Sequence, residues 1–189
     1  GQSEVGEHWD ITLRDLALTA IEAARSDAGN LQPTTMFVGN MLAPVLSDQA
    51  HLGALLADYA DLVGIEASTI EAGGASGAAA LRMGYQAIAS GLADTVLVIG
   101  VEKMTDKVGS PVDAALATST DSDYEAAQGL TPNAQAALLM RRYMYEYHVP
   151  HEAFAGFPIT AHANAALNPK AMFRSPISSD SYNKASIIS

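Results

Sequence analysis

The sequence predicts an α/β fold built on a mostly parallel sheet, and three observations carry that prediction. Short strand-like runs at Met36–Val38, Ser68–Glu71 and Val96–Ile99 alternate with longer segments of helical period. The segment 76–90 is small and apolar nearly all round, the pattern of a buried helix. A glycine-rich turn, Ala72–Gly77, joins the second run to that helix. Strand and helix alternating at these distances is the mark of a parallel sheet with right-handed crossovers.

The elements follow in order. Thr12 and Asp15, three apart, form an N-cap pair with an acid in the first turn. Leu13, Leu16, Ala17, Ala20, Ile21 and Ala24 then recur at helical spacing, and Gly29 is a C-terminal stop. Met36–Phe37–Val38 reads as a short buried strand ending at Gly39–Asn40. A second helix is expected over 48–62, with Leu52, Leu55, Leu56 and Tyr59 on one face and Gly64 after it. Ser68–Glu71 is the next strand, and the helix of 76–90 closes at Gly91. The continuous run Val96–Leu97–Val98–Ile99 predicts a central strand covered on both faces. Residues 105–130 hold no sustained period, and so long a loop is usually functional or mobile. Thr131–Pro132 opens a helix running to about Tyr147, and a further helix is expected over 151–167, ending at Asn168–Pro169.

Composition bounds the function. The chain has 189 residues, 49% hydrophobic and 16% charged, enough apolar mass for one real core. No run of about 18 apolar residues predicts a membrane span, and the opening residues lack the basic-then-apolar pattern of a signal peptide. The absence of cysteine excludes disulfides and thiolate metal sites and fits a cytoplasmic protein. A net charge of -11 argues against nucleic acid or an anionic membrane as partner.

The turn Glu71-Ala-Gly-Gly-Ala-Ser-Gly77 is the most informative local feature. Glycines permit tight geometry and close backbone approach, and a helix N-terminus offers free N–H groups to an anion. The same place suits a nucleophile, because the dipole lowers a thiol pKa and the N–H groups can hold an oxyanion. A bare structural turn that lets a close-packed helix fit beneath a sheet is the competing reading. The spacing is not G-x-G-x-x-G, so a dinucleotide fingerprint has little support.

Read together, these segments resemble a thiolase. Gly39-Asn40-Met41-Leu42 is similar to the family's glycine–asparagine segment, and Glu71–Gly77 to its E-A-A-C-A-S-G turn. Ala79–Arg82, Ala87–Gly91 and Val98–Met104 continue in register. The Glu102-Lys103-Met104 ending, His162-Ala163-Asn164 through Asn168-Pro169, and Phe173–Ser178 look most like the sterol-carrier-protein-type, acetyl-CoA acetyltransferase-like branch. The resemblance implies the N-terminal half of a five-layer αβαβα architecture: a thiolase-like core over 1–104, a helical loop-domain excursion over 105–180 covering the coenzyme A pocket, and a return to the core over 181–189. It also implies a first strand before Gly1-Gln2 and a second half after Ser189, where the family's catalytic histidine motifs, Asn-containing oxyanion site and second cysteine lie.

One departure matters most. The family's acyl-accepting cysteine falls at Gly74, which has no side chain to acylate, and covalent catalysis needs a thiolate there. Ser76 lies nearby, but its hydroxyl would need a positioned base. By resemblance, Ser76, Met104 and His162 are the expected substrate-binding residues; an ordinary surface position is the competing reading for His162. His148 and His151 lack the carboxylate cluster of a metal site, and no metal is expected. His8–Trp9 reads as structural. Arg141 and Arg142 read as a solvated helix face, or as a phosphate contact. Tyr143, Tyr145 and Tyr147 read as packing and surface residues.

Three functions remain in play. The first is a thiolase-like acyl-CoA acyltransferase performing Claisen condensation or thiolysis, with coenzyme A thioester as substrate, no separate cofactor, and the nucleophile lost. The second is a thiolase-fold aldolase acting on a coenzyme A thioester without that cysteine. The third is a non-catalytic acyl-CoA-binding or scaffold subunit. Half of such a fold would leave the central helix layer exposed. The chain is therefore expected to pair as a homodimer or with a complementary C-terminal-half chain, and the branch adds a zinc-ribbon/OB-fold protein as a further partner.

Overall fold

A computed structural model describes residues 1–188. Its elements run α1 (Leu13–Asp27), β1 (Thr35–Gly39), α2 (Ala43–Leu46), α3 (Leu52–Tyr59), β2 (Glu66–Ile70), α4 (Ser76–Ala89), β3 (Val96–Gly100), α5 (Ser110–Ala117), α6 (Pro132–Tyr147), α7 (Gly156–Ala165) and α8 (Ser179–Asn183). The chain divides into a sheet unit, residues 1–3 and 7–115, and a helical unit, residues 4–6 and from Leu116 onward.

The sheet unit is organised by β1. Its five residues are all buried, and it pairs in parallel with β2 on one side and β3 on the other, giving the order β2-β1-β3. Side chains alternate across a strand. Met36 and Val38 therefore join Leu16, Ile21, Leu52 and Leu56 in a cluster with α1 and α3 on one face. Phe37 joins Ala80, Ala87 and Ala93 on the face covered by α4. The α/β class with a parallel sheet is thus as the sequence predicts.

Local chemistry sets the boundaries. Thr12 caps α1 in a full capping box with Asp15, and Leu13, Leu16, Ala17 and Ile21 form the buried stripe. The α4 stripe is made of small residues, Ser76, Ala80, Gly84 and Ala87, so the helix lies close on the sheet. A Cβ at Gly39 would stand 2.6 Å from the Ser76 carbonyl oxygen, and one at Gly84 would stand 2.7 Å from Val98 Cγ2.

Five expectations change. The continuous apolar run predicted a central strand at 96–99, but β1 is central; β3 flanks it, with Ile99 buried and Val96, Leu97 and Val98 only partly covered. Helix α4 buries one stripe rather than its whole surface, and Leu81, Met83, Tyr85 and Ile88 are exposed. The helix expected over 48–62 is shorter: Asp48 and His51 adopt positive φ, 52° and 58°, which breaks the helix before Leu52, and α2 forms upstream. Residues 105–130, which show no sustained period, contain α5 and a 3-10 turn at Ala126–Gln128, and the helix expected over 151–167 is a 3-10 turn, His151–Phe154, followed by α7.

The helical unit is assembled by caps. The Thr131 hydroxyl accepts from the Ala134 N–H at the start of α6, with Pro132 in the first turn. His148 ends α6 in the left-handed region at φ 53°. Tyr143 packs on Tyr147 with the rings tilted, 4.7 Å between centroids, and meets Phe154 edge-on at 6.1 Å. The Ser178 hydroxyl accepts from the Ser181 N–H to cap α8, a short helix outside the predicted pattern.

Candidate functional site

The three parallel strands all end on the same side, at Gly39, Ile70 and Gly100. In open α/β sheets the carboxyl ends of the strands are where ligands bind. The turn 71–77 leaves β2 on that side and delivers the N-terminus of α4.

A network tied to Ser76 shapes this turn. The Ser76 hydroxyl donates to the Gly73 carbonyl at 2.7 Å and accepts from the Ala72 N–H at 3.0 Å. The Ala75 N–H donates to the Ala72 carbonyl, and the Gly73 N–H donates to the Glu71 carboxylate. Ser76 is buried and spends its hydroxyl on the backbone, so its visible work is to hold the turn. The two adjacent glycines are not equivalent. Gly73 sits at φ 56°, which favours glycine, whereas Gly74 has no positive φ and a Cβ built there meets nothing within 4 Å. The backbone therefore favours glycine at 73 and leaves residue 74 free to carry a side chain. The Ala75 and Ser76 N–H groups donate to the Ala72 and Gly73 carbonyls; by general helix geometry the next N–H groups of α4 lack intrahelical partners, so a group at 74 would sit near the positive end of a dipole.

A second network lies beyond β1 and β3. Asn40, 2% exposed, donates from Nδ2 to the Val101 carbonyl at 2.8 Å and to the Glu102 carboxylate at 3.0 Å, while its Oδ1 accepts from the Ala43 N–H. The Glu102 carboxylate also accepts from the N–H groups of Met41 and Leu42. Burial raises the Glu102 pKa, and these donors pull it back in part. Lys103 is buried and pairs with Asp106. The sequence resemblance names Asn40 and Glu102 but not their bond. The readable signal is an amide after one buried strand and an acid after the next.

Gly74 and Ser76 share one turn. Met104 follows β3 and is 42% exposed. His162 belongs to the helical unit, on α7, with Nδ1 3.0 Å from the Ser175 carbonyl oxygen and its ring stacked on Phe173 at 6.3 Å. The structure joins Gly74 and Ser76 in one turn and places Met104 after β3 in the same unit. The sheet unit also holds a cleft of about 580 Å³ lined by Trp9, Thr12, Arg14, Asp48, Gln49 and Lys107, among others; Gly74, Ser76 and Met104 do not line it. Among the described residues no group of three or more His, Asp or Glu side chains could hold a metal ion, and no helix is long and apolar enough to cross a membrane.

Fold and turn together define an α/β domain that presents a glycine turn and a helix N-terminus beyond the carboxyl ends of a parallel sheet. The family profile described as "Thiolase, N-terminal domain" matches residues 1–188, and the chain belongs to the thiolase family. It is 42% identical over 174 residues to an acetyl-CoA acetyltransferase of Methanothermobacter thermautotrophicus, covering 91% of this chain and 45% of the relative. The acetyl-CoA acetyltransferase of Methanocaldococcus jannaschii is 38% identical over 177 residues, with 92% and 44% covered. A 17-hydroxy-3-oxo-4-pregnene-20-carboxyl-CoA lyase of Mycobacterium tuberculosis is 31% identical over 113 residues, with 56% and 29% covered. The chain spans less than half the length of these curated relatives.

Proposed function

We propose that the chain is the N-terminal part of a thiolase-type enzyme acting on coenzyme A thioesters, of the acetyl-CoA acetyltransferase lineage, in which residue 74 occupies the place of the acyl-accepting nucleophile without supplying it. The observation that carries this reading is the open geometry at residue 74: it has no positive φ, and a Cβ built there meets nothing within 4 Å. A thiol at 74 would face open space at the start of α4, where a thiolate is stabilised and an acyl oxyanion can be held by N–H donors. Gly74 itself cannot accept an acyl group, so the chain as it stands is not expected to make an acyl-enzyme at this position.

In this reading the substrate is a coenzyme A thioester, no other cofactor takes part, Met104 and His162 are substrate contacts, and the setting is cytoplasmic. Residues 1–104 form the core, 105–180 cover the coenzyme A pocket, and 181–189 return to the core. The exposed face of α4, with Leu81, Tyr85 and Ile88, is covered by a second copy of the chain or by a C-terminal half. A zinc-ribbon/OB-fold protein is a further partner.

A second reading, carbon–carbon cleavage of an aldol type on a coenzyme A thioester, is favoured by Gly74 and by the similarity to the mycobacterial lyase, because retro-aldol cleavage needs no acyl-enzyme. Turnover separates the two. The acyltransferase reading predicts that the native protein shows neither thiolysis of acetoacetyl-CoA nor cleavage of a β-hydroxyacyl-CoA, and that Gly74→Cys in the complete protein gains thiolysis. Cleavage of the β-hydroxyacyl-CoA by the native protein would replace it with the aldolase reading.

A further inference from the structure

The helical unit contains an open groove of about 930 Å³, lined by one face of α6, the His148–His151 junction and the segment 182–188. Its size lies within the range of small-molecule sites, which are mostly apolar with a few placed polar groups. Met140, Met144, Ile187 and Ile188 supply apolar wall. The polar lining includes Arg141 and a fixed pair: Tyr182 stacks on His151 at 4.7 Å, and its hydroxyl lies 3.0 Å from His151 Nε2 and 3.1 Å from the His151 carbonyl oxygen.

The two neighbouring arginines differ. Arg142 is held by Glu146 at 2.6 Å, across one helical turn. Successive helix positions point about 100° apart, and Arg141, on the adjoining face, lines the groove and makes no ion pair among the described residues. No Asp or Glu is among the lining residues, in a chain of net charge -11. A guanidinium beside an acid-free apolar groove recognises an anionic head on an apolar tail, since it pairs bidentately with carboxylate and phosphate alike.

We propose that this groove is a binding site for an amphipathic anion, a medium-length alkyl chain bearing a carboxylate or phosphate monoester, with Arg141 holding the head and Met140, Met144, Ile187 and Ile188 the chain. The site is built from residues of the helical unit alone.

Calorimetric titration of the purified protein with decanoate, decyl phosphate and decanol tests it. One saturable site is expected, with at least one anion binding about tenfold more tightly than decanol, the factor a single charge-assisted pair supplies. The anion that binds more tightly identifies the head group. Arg141→Gln, at an exposed position, should remove that advantage and leave decanol unchanged, and Ala137→Phe should weaken binding of all three by crowding the groove. Equal affinity for the anions and decanol, an Arg141→Gln protein that still favours the anion, or no saturable binding would overturn the proposal.

Discussion

The sheet unit and the helical unit bury side chains to very different degrees. In the sheet unit Ile21, Met36, Val38, Leu52 and Leu56 are almost wholly removed from solvent. In the helical unit α6, α7 and α8 bury no residue, and Leu139, Tyr145, Phe157 and Leu167 are exposed. The first is specified by a core and the second by caps, ring contacts and local hydrogen bonds. A region with few buried apolar contacts opens at lower free energy than a packed core. Amide exchange is therefore expected to be slowest in β1 and fastest in α6–α8, and equal protection would erase the distinction.

The largest effect belongs to the core. Leu56→Ala should cost about 2–5 kcal/mol, as buried leucines do, whereas Leu139→Ala on the exposed face of α6 should change stability by no more than ~0.5 kcal/mol. Paired urea titrations check both, and a costly Leu139→Ala would mean that α6 is covered in solution. Next comes the polar clamp of the sheet unit. Asn40→Ala removes two donated bonds and one accepted bond from a buried site and should cost about 1–3 kcal/mol. A loss well below that would mean water replaces the amide.

The cap of α6 ranks below these. Thr131→Ala should cost about 1 kcal/mol, read as faster amide exchange confined to α6. The smallest effect is a pH dependence at α1. Hydrogen bonds from Thr12 and from the Tyr59 hydroxyl lower the Asp15 pKa from 3.8 to about 2. A carboxylate depressed in the folded state stabilises above its unfolded pKa, and that share is lost as the pH falls from about 4 to about 2. The difference between the native protein and Asp15→Asn should therefore shrink across that window. Glu102 has the opposite sign: its pKa is raised, so its share is present at low pH and lost as the pH rises through its folded value.

Much of the sheet unit was legible in the sequence because burial leaves a period. The α1 stripe and its capping box, the strand at Met36–Val38 and the glycine turn stand where the residues place them. The centre of the sheet was not legible. Val96–Ile99 and Met36–Val38 are both apolar runs, and only the pairing pattern tells which is flanked on two sides. The extent of α3 was hidden because left-handed conformations at Asp48 and His51 are carried by residues that also occur in helices. α8 depends on one serine cap in a polar stretch, where hydrophobic period says nothing. At the candidate site the sequence exposed the turn, but not that Ser76 is consumed in holding the backbone or that Asn40 and Glu102 meet across 62 residues.

The central claim is that residue 74 stands at an acyl-accepting position whose side chain alone is missing. Intact-mass spectrometry of Gly74→Cys in the complete protein, after incubation with acetyl-CoA, tests it most directly. Transfer of the acetyl group to the new thiol would release the coenzyme A thiol and leave one acetyl group on the protein. The account predicts that adduct, mapped by peptide analysis to residue 74, and none on the native protein. A folded Gly74→Cys protein that binds acetyl-CoA and stays unacylated would contradict it.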